Sequence, residues 1–88
     1  MSTYADIYCM DKDGTKARAA FGERLRALRI SAGMSQEQLG EAAGLDRTYI
    51  SSTERGRRNI SLNAITKTAA ALQKSPAIFF QPKDGAKR

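Results

Sequence analysis

The 88-residue chain has no histidine, a single cysteine and no long hydrophobic run. Each absence removes a class of function. Without histidine the commonest general base and metal ligand is missing, and Cys9 has no partner from which to build a metal site or a thiol catalyst. One cysteine cannot form an internal disulfide, so a reducing compartment is the default. No apolar stretch approaches the roughly 20 residues that span a bilayer, and the N-terminus lacks the hydrophobic segment of a secretory signal. A cytoplasmic protein without membrane contact is therefore expected. There is also no phosphate-binding glycine loop and no carboxylate pair placed for acid–base work. Neither an enzyme nor a bound cofactor or metal is expected.

What the chain does have is positive charge. At this length it makes one domain with one modest core. Its formal charge is +6 and its pI about 9.9. Lysine and arginine balance the acids over residues 1–20, whereas residues 61–88 carry five basic residues against one aspartate. A basic globular protein fits a polyanionic partner, although lysine and arginine also serve solubility. Charge alone leaves both readings open.

Three regions follow from the pattern: a flexible leader over 1–16, a helical domain over 17–81 and a basic tail over 82–88. The leader has no sustained period and contains the turn signal DKDG, yet Tyr4, Ile7, Tyr8 and Met10 are apolar enough to dock on the domain. From Ala17 to Ala32 the residues Phe21, Leu25, Leu28 and Ala32 recur at helical spacing. Arg18, Arg24, Arg26 and Arg29 fall mostly on the other faces and read as solvated. Gly33 supplies the stop, and Met34 precedes the next cap. Ser35 and Gln38 form a capping-box signature for a second helix, with Leu39, Ala42 and Ala43 on one face and Gly44 to turn the chain. Leu45 plugs that turn.

Asp46 has the side chain to cap a third helix, which continues until Gly56. Ile50 and Thr53 look inward. Arg47, Thr48, Ser51 and Ser52 are left facing out, a row of short polar side chains led by one arginine and almost bare of acid. Such a face suits contact with something polar and negative. Arg57, Arg58 and Asn59 follow as a donor-rich loop before Ile60 returns to the core. Leu62, Ile65, Ala69 and Leu72 give a fourth helix beginning near Ser61. Ser75 followed by Pro76 predicts a short fifth helix through Ile78, Phe79 and Phe80. Those three consecutive residues exceed what one side of a short helix can hide, so a symmetric dimer through them and the adjoining face of the fourth helix is expected.

The segment from Phe21 to Phe80, with MSQEQLGEAAGL followed by YIS and ERG in fixed register, resembles the helix-turn-helix domain of the lambda and 434 repressors and Cro. Within that superfamily LDRTYISSTERGRRN most resembles the controller proteins of restriction-modification systems. The resemblance implies an all-α, compact five-helix lambda-repressor-like fold. It also implies a homodimer on double-stranded DNA with a palindromic operator, regulating transcription of its own operon as activator and repressor. In that family pattern Gln36 meets a phosphate, Arg47 reads guanine, Thr48, Ser51 and Ser52 lie along the groove, and Tyr49 either reaches a phosphate with its hydroxyl or packs against the second helix. Arg57, Arg58 and Asn59 grip its far side. Glu37 and Glu41 match acidic positions that touch RNA polymerase, at its sigma subunit, while Glu54 is structural. Two departures stand out: Gly40 replaces the usual alanine, a change costing up to about 1 kcal/mol of helix stability, and Thr53 replaces an apolar residue. A phage-type repressor or an antitoxin is the alternative within the same class, and a protein-interaction module the alternative outside it.

Overall fold

In a computed structural model, residues 13–81 are described. They form α1 (Thr15–Ser31), α2 (Gln36–Ala43), α3 (Arg47–Glu54), α4 (Leu62–Ala71) and a 3-10 turn (Pro76–Phe80), with no strand among them. Most of the expected leader and all of the basic tail lie outside the described residues. The first helix begins at Thr15, inside the stretch expected to be leader. Its start is set by Gly14 in the left-handed region, φ 77°.

The caps explain the boundaries. Ser35 accepts from the Gln38 amide and the Gln38 side chain accepts from the Ser35 amide, so the predicted capping box is complete. Gly44 closes α2 with φ 72°. Asp46 has the extended N-cap backbone expected of it, but its side chain makes no capping bond. Ser61 accepts from the Ala64 amide and starts α4.

The fifth element is not an α-helix. Five residues between a Ser-Pro start and Gln81 leave little room for i→i−4 bonds, and the turn closes instead with Ile78 N–H donating to the Ser75 carbonyl at 2.9 Å. This geometry separates the three apolar residues expected at a dimer interface. Phe79 is 1% exposed and sits against Phe21 with ring centroids 4.7 Å apart. It is consumed within its own chain and offers a partner no surface. Ile78 is half-buried, and Phe80 is 36% exposed beside Phe21.

One core joins all elements through Phe21, Leu25, Leu39, Ile50, Ala69, Leu72 and Phe79. Met34, Leu45 and Ile60 pack against it as expected. Three expected core positions do not: Ala32 caps α1 and is exposed, and the other two lie on α4 and α2. Leu62 is 79% exposed, and the buried face of α4 is Ala64, Thr68 and Ala69. Small side chains let α4 approach closely, and the Thr68 hydroxyl is satisfied by donating to the Ala64 carbonyl at 2.9 Å. In α2, Ala42 is exposed and Gly40 is buried in its place. The arginines of α1 are not all solvated: Arg24 Nε donates to the Ile78 carbonyl at 3.1 Å and ties α1 to the 3-10 turn.

Candidate nucleic-acid interface

The helix pair α2–α3 is held in register by a tight turn. Leu45 N–H donates to the Gly40 carbonyl at 2.8 Å. A Cβ on Gly40 would lie 2.7 Å from the Leu45 carbonyl oxygen, so glycine here permits the close approach of the two helices rather than merely softening α2. A similar contact lies behind α3. A Cβ on Gly22 of α1 would meet the carbonyls of Thr53 and Glu54 at 2.5 and 2.6 Å. The end of α3 thus rests directly on the backbone of α1.

The inward face of α3 is closed. Ile50 is fully buried, and Thr53, 2% exposed, donates its hydroxyl to the Tyr49 carbonyl at 2.7 Å. That bond is why a polar residue is tolerated where an apolar one is usual. Arg29 and Glu54 form a forked ion pair, Nε to Oε2 at 2.6 Å and Nη2 to Oε1 at 3.0 Å, with the carboxylate side chain only 3% exposed. Arg29 Nη1 also donates to the Met34 carbonyl at 2.9 Å, joining α1, the start of α2 and the end of α3. The hydrogen bond to Glu54 raises the Arg29 guanidinium above its already high ordinary value, against the opposing effect of burial. Because the folded-state value is raised, the stability it adds is present throughout the neutral range and is lost only as pH rises past that value. Glu54 therefore has the structural role expected of it, while Arg29 was misplaced as a solvated residue.

Gln36, at the first position of α2, donates Nε2 to Glu54 Oε1 at 3.1 Å. Its amide is oriented by the same carboxylate that holds Arg29.

The outward face is open. Arg47 and Thr48 are exposed on the first turn of α3, and the Arg47 side chain makes no hydrogen bond or ion pair among the described residues. Ser51 and Ser52 are half-buried one turn on. Ser52 Oγ donates to the Thr48 carbonyl at 2.9 Å and accepts from Arg58 Nε at 3.0 Å. The Arg58 guanidinium lies 4.4 Å from the centroid of the Tyr49 ring, a cation–π geometry. Tyr49 in turn accepts from the Ser61 amide with its hydroxyl, at 3.2 Å. Thr48, Tyr49, Ser52 and Arg58 thus form one cluster that fastens the following loop to α3. Asn59 Oδ1 accepts from Arg18 Nη1 at 3.2 Å, and Arg57 is exposed. Glu37 and Glu41 are exposed on α2. No group of residues suited to a metal ion occurs among the described residues, and no helix there is long and apolar enough to cross a membrane.

Comparison with known proteins decides what this arrangement is. A helix-turn-helix domain profile matches residues 20–77. The control protein C.BamHI of Bacillus amyloliquefaciens is 48% identical over 68 residues, 76% of each chain. This chain belongs to the lambda-repressor-like helix-turn-helix family, and its relatives include restriction-modification controller proteins. A hypothetical transcription factor of Neisseria meningitidis is 48% identical over 60 residues, 68% of this chain, which spans only 57% of that relative's length. The crystal structure of the controller protein C.AhdI of Aeromonas hydrophila superposes with a TM-score of 0.71 at 48% identity, covering 72% of this chain and 96% of that one. The family is one of DNA-binding transcription regulators rather than enzymes. What the sequence reading missed is the support behind α3 from Gly22 and Arg29, which belong to no local pattern.

Proposed function

We propose that the chain is a homodimeric, sequence-specific transcription regulator, a restriction-modification controller that binds a palindromic operator upstream of its own operon and both activates and represses it. The observation that carries this reading is the open leading turn of α3, where the Arg47 and Thr48 side chains are exposed and Arg47 makes no hydrogen bond or ion pair among the described residues, in a chain 48% identical to a control protein. Arg47 has the two-pronged donor that matches O6 and N7 of guanine. Thr48, Ser51 and Ser52 continue into the groove, with a thymine methyl or a base edge as partners. Arg57, Arg58, Asn59 and the Tyr49 hydroxyl approach phosphates on the far side, and the free hydrogen of the Gln36 amide reaches one at the start of α2, where backbone amides already favour an anion.

Dimerisation uses Ile78 and Phe80 together with the adjoining face of α4, where Leu62 leaves a large apolar side chain in solvent. Two recognition helices about 34 Å apart meet successive major grooves on one side of the duplex. Glu37 and Glu41 are the candidates for contact with the sigma subunit of RNA polymerase. A cytoplasmic site of action follows from this role. A phage-type repressor or antitoxin would use the same face; a neighbouring restriction or methyltransferase gene favours the controller, and a toxin gene the antitoxin.

Selection of bound duplexes from a random pool, followed by titration of recovered sites across salt concentrations, tests the reading. It predicts an enriched palindrome and an affinity that falls steeply with salt. Uniform weak binding with no enriched motif would contradict it.

A further inference from the structure

The donor-rich loop after α3 has a cation behind it as well as on it. Arg18, partly buried near the start of α1, reaches across to Asn59, 41 residues further along the chain. Its Nη1 donates to the Asp13 carbonyl and to Asn59 Oδ1, each at 3.2 Å, and its Nη2 donates to Thr15 Oγ1 at 3.4 Å. Both hydrogens of Nη1 are thereby spent within the chain. The folded-back guanidinium depends on Gly14, because a Cβ there would lie 3.2 Å from Arg18 Nη1. The cation gains nothing from its own helix: the N-terminal end of a helix dipole favours anions, and the first turn of α1 carries no acid.

What Arg18 does settle is the direction of the Asn59 carboxamide. A free asparagine can turn either its carbonyl oxygen or its NH2 toward a partner, and a phosphate oxygen, an acceptor, can use only the NH2. A guanidinium has no acceptor, so the end of Asn59 that meets Arg18 must be Oδ1. Nδ2 is then turned away from Arg18 and makes no hydrogen bond among the described residues. Asn59 is exposed, next to Arg58, whose guanidinium is seated on the Tyr49 ring of α3. We propose that Arg18 is a positioning residue of the nucleic-acid interface, holding the Asn59 carboxamide with its NH2 turned to a backbone phosphate. This role rests on the reading that Asn59 approaches a phosphate, and it places the control of that contact at the start of α1, outside the helix-turn-helix.

The full chain without DNA is read first. Side-chain 15N relaxation should give the Asn59 NH2 an order parameter above the roughly 0.6 that marks flexible groups, and Arg18→Met should bring it below that value. Asn63, exposed and with no side-chain hydrogen bond among the described residues, is the mobile reference in both chains. An Asn59 NH2 as mobile as that of Asn63 in the parent chain would overturn the proposal before any variant is made. Affinity is then measured for Arg18→Met, Asn59→Ala and the double variant, on the selected operator and on an unrelated duplex, since a phosphate contact carries no sequence information. Asn59→Ala should weaken binding about tenfold, as for loss of one hydrogen bond to a charged group. Arg18→Met should cost a similar factor in the parent chain and less than about twofold more in the Asn59→Ala background. Costs that multiply instead would overturn the positioning role and leave the phosphate reading of Asn59 standing. So would a salt dependence shallower by about one unit for Arg18→Met in the Asn59→Ala background, because Arg18 would then hold a phosphate itself. An Asn59→Ala chain with unchanged affinity would remove the phosphate reading and the positioning role together. Coupling of the same size on both duplexes would uphold the role whether or not a palindrome is enriched.

Discussion

The two sides of α3 are built by opposite rules. Toward the domain, Thr53 and Glu54 are nearly or wholly enclosed, each with its hydrogen bonds made within the chain. Toward solvent, Arg47 presents an uncommitted guanidinium and Thr48 an exposed hydroxyl. A charge that is buried must be paired to be tolerated, whereas a charge that is to recognise a partner must be left unpaired until that partner arrives. Arg29 and Arg47 are the same residue type under these two rules. The first fixes where the helix lies, and the second stands exposed on its leading turn.

If the inner side is purely architectural, its variants should cost stability. Glu54→Ala leaves the Arg29 guanidinium without its carboxylate; because Arg29 keeps 11% of its side-chain exposure, the loss should sit near the low end for buried pairs, about 3 kcal/mol. Urea unfolding followed by circular dichroism measures it. Gly22→Ala comes next. The added methyl meets two carbonyls of α3 closer than 3 Å, and relief by separating α1 from α3 should cost roughly 1–3 kcal/mol. A crystal structure or chemical-shift map of this variant should show the end of α3 displaced, and an unshifted α3 would mean the contact does not position it.

How much of the fold is legible in the sequence follows the same division. The capping box at Ser35, the turn at Gly44 and the exposure of Arg47 and Thr48 are local signals with local causes, and each is where its pattern places it, whereas Ser51 and Ser52, expected outward, are half-buried. Long-range pairing left no such mark. Arg29 and Glu54 lie on different helices with no periodicity linking them, so α1's arginines look alike in sequence although one is the keystone of the fold. On α4 the hydrophobic stripe misled because size mattered more than polarity: Ala64 and Thr68 fit the close packing, and Leu62 was left outside. The fifth element failed for want of length, since one turn of chain cannot accumulate α-helical bonds.

Smaller effects should fall on the outer side. Reversing both acids of α2, Glu37→Lys with Glu41→Lys, should leave unfolding within about 0.5 kcal/mol of the parent and operator affinity no weaker, while abolishing activation in a reporter assay. Loss of folding together with activation would assign the two acids to the architecture instead.

The most direct test pairs two readouts on one variant. Arg47→Ala should bind the selected operator about 10–100-fold more weakly, as expected for loss of one base contact, while its thermal unfolding stays superimposable on that of the parent chain. Unchanged affinity would remove Arg47 from the recognition surface. A fall in melting temperature alongside the fall in affinity would contradict the separation of the two sides of α3.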